Sequence, residues 1–567
     1  MTSNKKRRWP LWAVAALIIF HIFVFAGTGL AIFGGSAKVP DTFDDSDSLP
    51  VIYPDYADVT VPVNIAPLHF HIDHDGAATD FVTHFGAGSE EWTFGGEAVC
   101  PGSKAWEAMK QAALTADGCI QVQVYAKRSG TWLRYRCFGI TVSTDSIDPY
   151  ISYRLISPSY VTYEDLTINQ RCLENFDESL IYGNMINSDE ANGQCINCHH
   201  SQYGNPDRIQ FHVRQYRGGT VIAYDGKVRK VNLKTDSTLS AGVYPAWHPT
   251  QPWIVYSTNL TGQSFHTRDV QKIEVQDTKS NLIFYDIETN TVTPVTRDST
   301  ELDCFPHWSP DGRYVYYVSA HWERLDTTAL DYELITHYKQ LHYNLYRMAF
   351  DASTRTFGPR ELLYDAASRN RSVTLPRISP DGRWLMFTEG KFGVFHIWHN
   401  DADLYMMDLT KAQPMAEGPH PVLYDADHLP AGLLPETANN VEREAAADSL
   451  REALGAQHPL PESIYPIAEL NSADVESYHS WSHDGKWVVF SSRRTDGNFT
   501  RPFIAHHDGN GHFSRPFELP QQEPEYHRHF LRSYNIPEFM LGPVTIRPQE
   551  FAATIKDEAT NATLSMP

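Results

Sequence analysis

The sequence contains few basic residues for its length. Its 567 residues include 47 Lys and Arg against 69 Asp and Glu, which gives a formal net charge of −22 with neutral histidines. Nucleic acids and anionic membrane surfaces are bound by clustered cations. We therefore expect neither of them as the main partner. The sequence also has no HExxH, GxSxG, P-loop or GxGxxG motif, so the hydrolase, kinase and dehydrogenase sites that those motifs mark are not predicted.

The composition indicates a folded chain rich in β structure. Hydrophobic residues make up 42% and charged residues 20%, and there are 35 Pro, 34 Gly and 29 Tyr. Tyr is enriched in strands, whereas Pro and Gly are typical of turns. A chain of this length is expected to form about three to four units. We predict a mainly β protein rather than a helical bundle.

The N-terminal segment has the pattern of a membrane anchor. Residues 1–10 carry four consecutive basic residues, and residues 11–37 are uncharged and mostly apolar up to Ala37. About 20 apolar residues span a bilayer, and the basic flank stays in the cytoplasm. We predict a single-pass inner-membrane protein whose C-terminal bulk lies in the periplasm, with residues 38–58 as a stalk. A signal peptide cleaved near Gly34-Gly-Ser-Ala37 is the alternative.

The strongest chemical motif is Cys195-Ile-Asn-Cys198-His199. The chain has only seven cysteines, and this spacing is typical of covalent haem attachment, in which each thiol adds to one vinyl group and the imidazole binds the iron. The sequence therefore predicts one haem c, attached at Cys195 and Cys198 with His199 as axial ligand. A small disulfide loop or half of a zinc site is the alternative, although no second CxxC exists.

The sixth iron ligand stays open between several candidates. His212 is the distal candidate and Met185 the alternative, because both have enough chain to wrap around the ring, whereas His200 is too close to His199. The remaining alternatives are a ligand supplied by a partner protein and an open sixth position on the iron. Two strong ligands would make an electron carrier, and an open face would allow small-molecule binding.

Four segments of the second half share one hairpin pattern, in which an apolar strand is followed by a turn and a second apolar strand. They centre on Trp247, Trp308, Ile378 and Trp481, and three of them have Asp-Gly in the turn. Together with the strands that follow, they predict four-stranded blades of a β-propeller over residues 211–545, with six blades preferred. Residues 219–233 are predicted to supply strands of the blade that closes the ring. A surface helix is expected in an insertion at 411–465, and residues 546–567 form a C-terminal tail.

The region before the propeller is predicted to contain two further parts. Residues 59–150 show short alternating strands that indicate a small β-sandwich, with Cys100 and Cys119 as a candidate disulfide. Residues 151–210 are predicted as a linker region that carries the haem motif.

The hairpins resemble those of TolB-type, WD40-like propeller proteins, whose repeats carry a similar Trp-Ser-Pro-Asp-Gly sequence. The chain is also similar over most of its length to membrane-anchored propeller proteins of Bacteroidetes that contain a haem motif, including at 392–404 and 533–539. The resemblance to c-type cytochromes implies attachment of haem outside the cytoplasm. The expected function is electron transfer or redox-linked binding of an envelope or redox partner that docks on the propeller. The alternative is a non-enzymatic scaffold that binds protein or glycan at the cell envelope. A redox carrier is favoured over an enzyme.

Overall fold

A computed structural model describes residues 37–157, 165–189, 192–266, 271–322, 337–418, 426, 428–435 and 437–565. Almost all of the predicted membrane helix lies outside these ranges. Within them, no helix is both long and apolar enough to cross a membrane. The described residues divide into two compact units, of which the smaller comprises 37–58, 67–142 and 520–525 and the larger the rest of the described residues.

The smaller unit consists of two sheets and one helix. Residues Ser103–Thr115 form the helix, whose buried residues Trp106, Met109 and Ala113 lie on one face because they are three and four positions apart. The first sheet contains Val51–Tyr53, Phe70–Asp73 and Ala98–Val99. The second contains Asp44–Asp45, Ala78–Ala87, Glu90–Gly95, Cys119–Arg128, Thr131–Arg134 and Phe138–Ser143.

Two features of the smaller unit were not predicted from the sequence. A β-sandwich was expected at 59–150, and in addition to its strands the unit has a helix that packs on the second sheet, with Trp106 of that helix buried at 2% exposure. Residues 38–58 are not a solvated stalk, because Ile52 and Tyr56 are buried. Acidic residues and proline in this stretch suggested a linker, whereas its few apolar side chains decide its packing.

The larger unit contains six groups of four antiparallel strands, numbered here as sheets 1 to 6. With the innermost strand first, sheet 1 contains Gln194–Gln202, Asn205–Gln215, Gly219–Tyr224 and Lys227–Asn232, and sheet 2 contains Val243–Trp247, Trp253–Phe265, Ile273–Asp286 and Thr291–Pro294. In the same order, sheet 3 contains Glu301–Trp308, Tyr314–His321, Asn344–Asp351 and Thr356–Tyr364, and sheet 4 contains Ser372–Ile378, Trp384–Gly390, Asp403–Asp408 and Ile464–Pro466. Sheet 5 contains Glu476–Trp481, Trp487–Ser492, Arg501–His506 and Phe517–Glu518, and sheet 6 contains Ser533–Met540, Tyr150–Ile156, Thr167–Cys172 and Glu178–Gly183. Val59–Pro62 is a further strand of this unit.

The innermost strands of consecutive sheets contact one another in the order 1, 2, 3, 4, 5, 6 and back to 1. A single bridge between Ser280 and Leu302 also connects sheets 2 and 3. This cyclic order of several sheets is consistent with a β-propeller. Sheet 6 closes the cycle, because its innermost strand comes from the C-terminal part of the chain and its other three from the N-terminal part.

Among its described residues the larger unit also contains three helices and four 3-10 turns. The helices are Asn440–Gly455, Tyr526–His529 and Pro548–Lys556, and the 3-10 turns are Asn184–Ile186, Tyr338–Gln340, Ala367–Arg369 and His396–Trp398. The helix predicted within 411–465 is confirmed, and it begins with a capping box between Asn439 and Glu442.

Three boundaries differ from the sequence predictions. Residues 151–210 are not a linker, since they supply strands to sheets 6 and 1. Residues 219–233 form strands as expected, but they belong to sheet 1 and do not close the cycle. Residues 546–565 are not a tail: Phe551 and Ile555 are buried, and Thr560–Asn561 and Thr563–Leu564 extend sheets 1 and 2. All three differences arise from pairings between distant parts of the chain.

The predicted turn chemistry is present in the hairpin of sheet 3. The Ser309 hydroxyl donates to Asp311 Oδ1 at 2.6 Å, and the same oxygen accepts from the Arg313 amide at 3.0 Å. Gly312 has a positive φ of 70°, which glycine adopts without a steric cost. The hairpins of sheets 4 and 5 repeat these contacts.

Candidate functional site

Every innermost strand contains the same irregularity. One residue has a left-handed backbone conformation, with φ between 48° and 55°, and the pairing register with the next strand shifts there. The next residue is proline in four strands and histidine in two. The six pairs are Cys198-His199, Tyr244-Pro245, Phe305-Pro306, Leu375-Pro376, Tyr478-His479 and Ile536-Pro537. We call this feature the inner bulge, and it is a β-bulge repeated in every sheet.

The left-handed residues build an apolar layer where the innermost strands meet. Phe305, Leu375 and Tyr478 belong to one buried cluster, and Tyr244 and Ile536 pack against it. The rings of Tyr244 and Phe305 have centroids 4.2 Å apart. Cys198, the sixth member, is also buried, with 6% of its surface exposed. Its side chain is the smallest of the six.

The residue two positions after the left-handed one differs in chemistry from strand to strand. These residues are His200, Ala246, His307, Arg377, Ser480 and Glu538. His200, His307, Arg377, Ser480 and Glu538 line one cavity with a volume of about 90 Å³. Trp247, Trp481, Asp148 and His483 also contribute to its wall. The repeated bulge thus brings side chains from five different sheets to one cavity.

Burial decides the charges in this cavity. Glu538 Oε1 lies 3.7 Å from His200 Nε2, and its Oε2 accepts from the Ser201 amide at 3.4 Å. Burial raises the pKa of Glu538 to about 8 and lowers the pKa of His200 to about 3. Burial also lowers the pKa of His307 well below its usual value. At neutral pH these three groups are therefore uncharged.

Arg377 is the cationic side chain of the cavity. Its Nη1 donates to the Pro376 carbonyl at 2.9 Å, and among the described residues no carboxylate lies within 4 Å of the guanidinium. A guanidinium has five N–H donors in a planar fork that matches a carboxylate or phosphate. The cavity is therefore suited to an anionic group of a ligand.

The predicted haem residues lie on the innermost strand of sheet 1. Cys195 pairs with Arg214 across the strands, and the Asn197 amide donates to its sulfur at 3.2 Å. Cys195 packs against the cluster that sheet 6 shares with sheet 1, whereas Cys198 is buried near Tyr244. His199 is 1% exposed, and its imidazole lies close to the backbone of Ser152 and Ile536 in sheet 6. Burial lowers its pKa to about 3.

Attachment of a haem here would require this strand to open. A haem needs both thiols at its edge and the imidazole over its iron, whereas here all three residues belong to one strand that is paired with Asn205–Gln215. Met185 is 67% exposed in the 3-10 turn Asn184–Ile186. His212 is buried, with its Nδ1 3.2 Å from Thr220 Oγ1. Neither position indicates that Met185 or His212 is the sixth iron ligand.

The other predicted site residues are likewise not brought together. Cys100 and Cys119, the candidate disulfide, are both free thiols, as are the five other cysteines. Cys119 lies instead near Cys137, and the Gln121 side chain contacts both sulfurs. The described parts of the chain contain no group of three or more His, Cys, Asp or Glu that could hold a metal ion.

Sequence analysis did not single out His307, Arg377 or Glu538. The signal was present in the aligned hairpins, because the column before the conserved Trp or Ile contains Ala246, His307, Arg377 and Ser480. The backbone at this position is the same in every repeat, whereas the side chain differs. The fold therefore does not require a particular residue there. Glu538 could not be found in this way, since its strand has no hairpin of the same sequence pattern.

The comparisons with known proteins give structural likeness alone. No family model matches the sequence, and no curated protein matches it. A puromycin-hydrolyzing peptidase of Mycobacterium tuberculosis is 12% identical, with 72% of this chain and 52% of that chain covered and a TM-score of 0.31. The tricorn protease is 10% identical, with 71% and 38% covered and a TM-score of 0.26. The GH74 enzyme of Niastella koreensis is 10% identical, with 68% and 50% covered and a TM-score of 0.30. The chain therefore spans about half of the length of the peptidase and of the GH74 enzyme, and less than half of the tricorn protease. None of the three assigns an activity to it.

Proposed function

We propose that this chain is a TolB-type, six-bladed propeller at the cell envelope. It binds a partner protein by holding a carboxylate group of that partner. The cavity lined by His200, His307, Arg377 and Glu538 is the binding site. The six inner bulges and the Asp-Gly hairpins support the fold assignment. The function rests on one observation, which is that the Arg377 guanidinium lines a cavity at the bulges and, among the described residues, has no carboxylate within 4 Å.

The ligand chemistry follows from the charges in the cavity. The Arg377 guanidinium donates to both oxygens of a carboxylate, as in bidentate pairs. The neutral imidazoles and the protonated Glu538 add hydrogen-bonding groups that do not repel an anion. A volume of about 90 Å³ accommodates such a group but not a whole cofactor. The ligand is therefore the C-terminus or an acidic side chain of an envelope protein, inserted from outside.

A peptide titration tests this function. An N-acetylated tripeptide with a free carboxyl terminus and its C-terminally amidated form are titrated against the full chain by calorimetry. We expect the amide and the variant Arg377→Gln each to weaken binding at least tenfold. Arg383→Gln is the matched control, because Arg383 carries the same charge outside the cavity and lies 3.5 Å from Asp408. Equal affinities for acid and amide would contradict the proposal.

The envelope location is part of the same proposal. It rests on the basic flank at residues 1–10 and the apolar run at 11–37. Reporter fusions after residue 60 are expected to be active with a periplasmic reporter and inactive with a cytoplasmic one. The reverse pattern would place the larger unit in the cytoplasm and refute the location.

Covalent haem attachment is a second and separate proposal. The CxxCH spacing and the burial of the His199 imidazole beside both thiols in the sequence support it, whereas the pairing of the strand opposes it. If haem is attached, the innermost strand of sheet 1 has to open first, and redox-linked partner binding follows. A pyridine haemochrome spectrum after co-expression with the c-type maturation system tests this, with Cys195→Ser/Cys198→Ser as control. Colourless wild-type protein would end the haem proposal and leave the propeller unaffected.

A further inference from the structure

A second and larger cavity lies between sheets 1 and 2. Its volume is about 490 Å³, and it is lined by His212 and Arg214 of sheet 1, by Lys234, which follows that sheet, and by Tyr244 and Asn259 of sheet 2. Pockets that bind small molecules have volumes of about 300 to 1,000 Å³. This cavity shares no lining residue with the one at the inner bulges. It is thus a separate candidate site.

The charge of this cavity contrasts with the charge of the chain. Arg214 and Lys234 both line it, and no acidic residue does, although the net charge of the sequence is −22. Among the described residues no carboxylate lies within 4 Å of either cation, although Arg214 is close enough to the buried Asp277 to counteract part of the rise in the pKa of that carboxyl. Two cations at one cavity attract an anion, whereas the net negative charge of the whole chain repels it.

The remaining wall is neutral, polar and held in place. Asn259 donates through its amide to Asp277 Oδ2 at 2.6 Å and through its backbone to Ser240 Oγ at 3.0 Å. His212 is 6% exposed and uses Nδ1 for Thr220, which leaves Nε2 for a molecule in the cavity. Burial lowers the pKa of His212 to about 3, so its imidazole is neutral and exchanges hydrogen bonds with hydroxyl groups.

Two glycines form the turn that borders the cavity. Gly219 has a φ of 151°, and a Cβ there would lie 2.9 Å from Lys230 Cγ. Gly218 precedes it in the turn. A larger residue at 219 would press against Lys230, so glycine is needed for the conformation of this turn.

We propose that this cavity binds an acidic saccharide, a polyhydroxylated ring that carries one carboxylate or phosphate. Arg214 and Lys234 bind the anionic group, and His212 binds a ring hydroxyl. The volume of about 490 Å³ is larger than a simple inorganic anion fills, which favours a ligand that also carries a ring.

Calorimetric titration of the full chain with four probes tests this proposal. Glucuronate and glucose 6-phosphate represent the two anionic groups, glucose lacks the charge, and inorganic phosphate lacks the ring. We expect at least one acidic sugar to bind at least tenfold more tightly than both glucose and phosphate. The stronger of the two acidic sugars identifies the anionic group. Phosphate that binds as tightly as glucose 6-phosphate would overturn the saccharide assignment, and no binding of either acidic sugar at 10 mM would overturn the site.

Matched variants locate the binding. Arg214→Gln/Lys234→Gln should weaken the acidic sugar at least tenfold. Lys227→Gln/Arg443→Gln changes the net charge equally at an exposed and a half-buried position outside both cavities and should leave its affinity unchanged. Arg377→Gln should also have no effect on this ligand. If Arg377→Gln abolishes sugar binding and Arg214→Gln/Lys234→Gln does not, the sugar occupies the other cavity and the inference is wrong. Circular dichroism of each variant verifies the fold.

Discussion

The innermost strands of sheets 1 and 3 have the same backbone irregularity but opposite side-chain chemistry. In sheet 3 the bulge reads Phe305-Pro306-His307-Trp308, with two large rings and a proline. In sheet 1 it reads Cys198-His199-His200-Ser201, in which each of the apolar or rigid residues is replaced by a small or polar one. The backbone alone therefore does not require the residues of sheet 1. We infer that these residues serve a site in or beside sheet 1. Substitutions in the two strands test how far the strands are interchangeable.

The largest expected effect is a loss of stability on substitution of Trp308, which lies three positions after the left-handed Phe305. Trp308 is fully buried, and its indole donates to the Ala246 carbonyl of sheet 2 at 3.1 Å. Trp247 and Trp481 make the same bond to the sheet before them. Trp308→Ala should lower the free energy of unfolding by about 3 to 5 kcal/mol, as measured by denaturant unfolding.

Ser201→Ala is the matched change in sheet 1. Ser201 is 3% exposed but fills little space, so the loss should be below about 1 kcal/mol. Similar losses for the two variants would mean that the indole does not connect sheets 2 and 3 as described.

A second prediction concerns the pH dependence of stability. The folded protein holds a proton on Glu538 up to its pKa of about 8, whereas the unfolded chain releases it near the usual value of 4.5. The native state thus binds more protons in this window, and stability falls as the pH rises from about 4.5 to about 8. Glu538→Gln removes this contribution and keeps an acceptor for the Ser201 amide.

The measurement is the difference in unfolding free energy between Glu538→Gln and wild type at several pH values. The difference should increase in favour of the variant by on the order of 1 kcal/mol for each pH unit in this window. A difference that stays constant from pH 5 to pH 8 would show that Glu538 is ionised in the folded protein. In that case Arg377 has an ionised neighbour, and its availability to a ligand is reduced.

Local sequence signals predicted the hairpins, and long-range pairing decided the rest. The Ser-Pro-Asp-Gly turns and alternating strands identified four sheets because all their information lies within about 15 residues. Sheet 6 combines Ser533–Met540 with Tyr150–Ile156, and no local pattern connects strands so far apart. The same limit applies to the site. The CxxCH spacing was read as a haem motif, although Cys198 and His199 also satisfy the backbone rule of the inner bulge, which only the comparison of all six strands reveals.

The smallest and most informative change replaces His199 by the residue that four other bulges carry. Pro245, Pro306, Pro376 and Pro537 follow left-handed residues with nearly the same φ as Cys198, so the backbone accepts proline there. His199 lies in the register shift between Asn197 and His200 and is not a paired position of the ladder. Proline would also restrict the unfolded chain, which offsets the loss of the contact between the imidazole and the backbone of Ser152 and Ile536.

His199→Pro should therefore leave the free energy of unfolding unchanged or raise it by up to about 1 kcal/mol. His199→Ala is the control, because it removes the imidazole without restricting the chain and leaves a space, so it should be less stable than His199→Pro. A loss of more than about 2 kcal/mol in His199→Pro would mean that the imidazole or its amide is bonded in the folded protein. If the proline variant keeps its stability but loses haem, the residue serves the cofactor and not the fold. If it keeps its stability and the wild type carries no haem, the polar bulge of sheet 1 has to serve the neighbouring cavity through His200, whose side chain lines it.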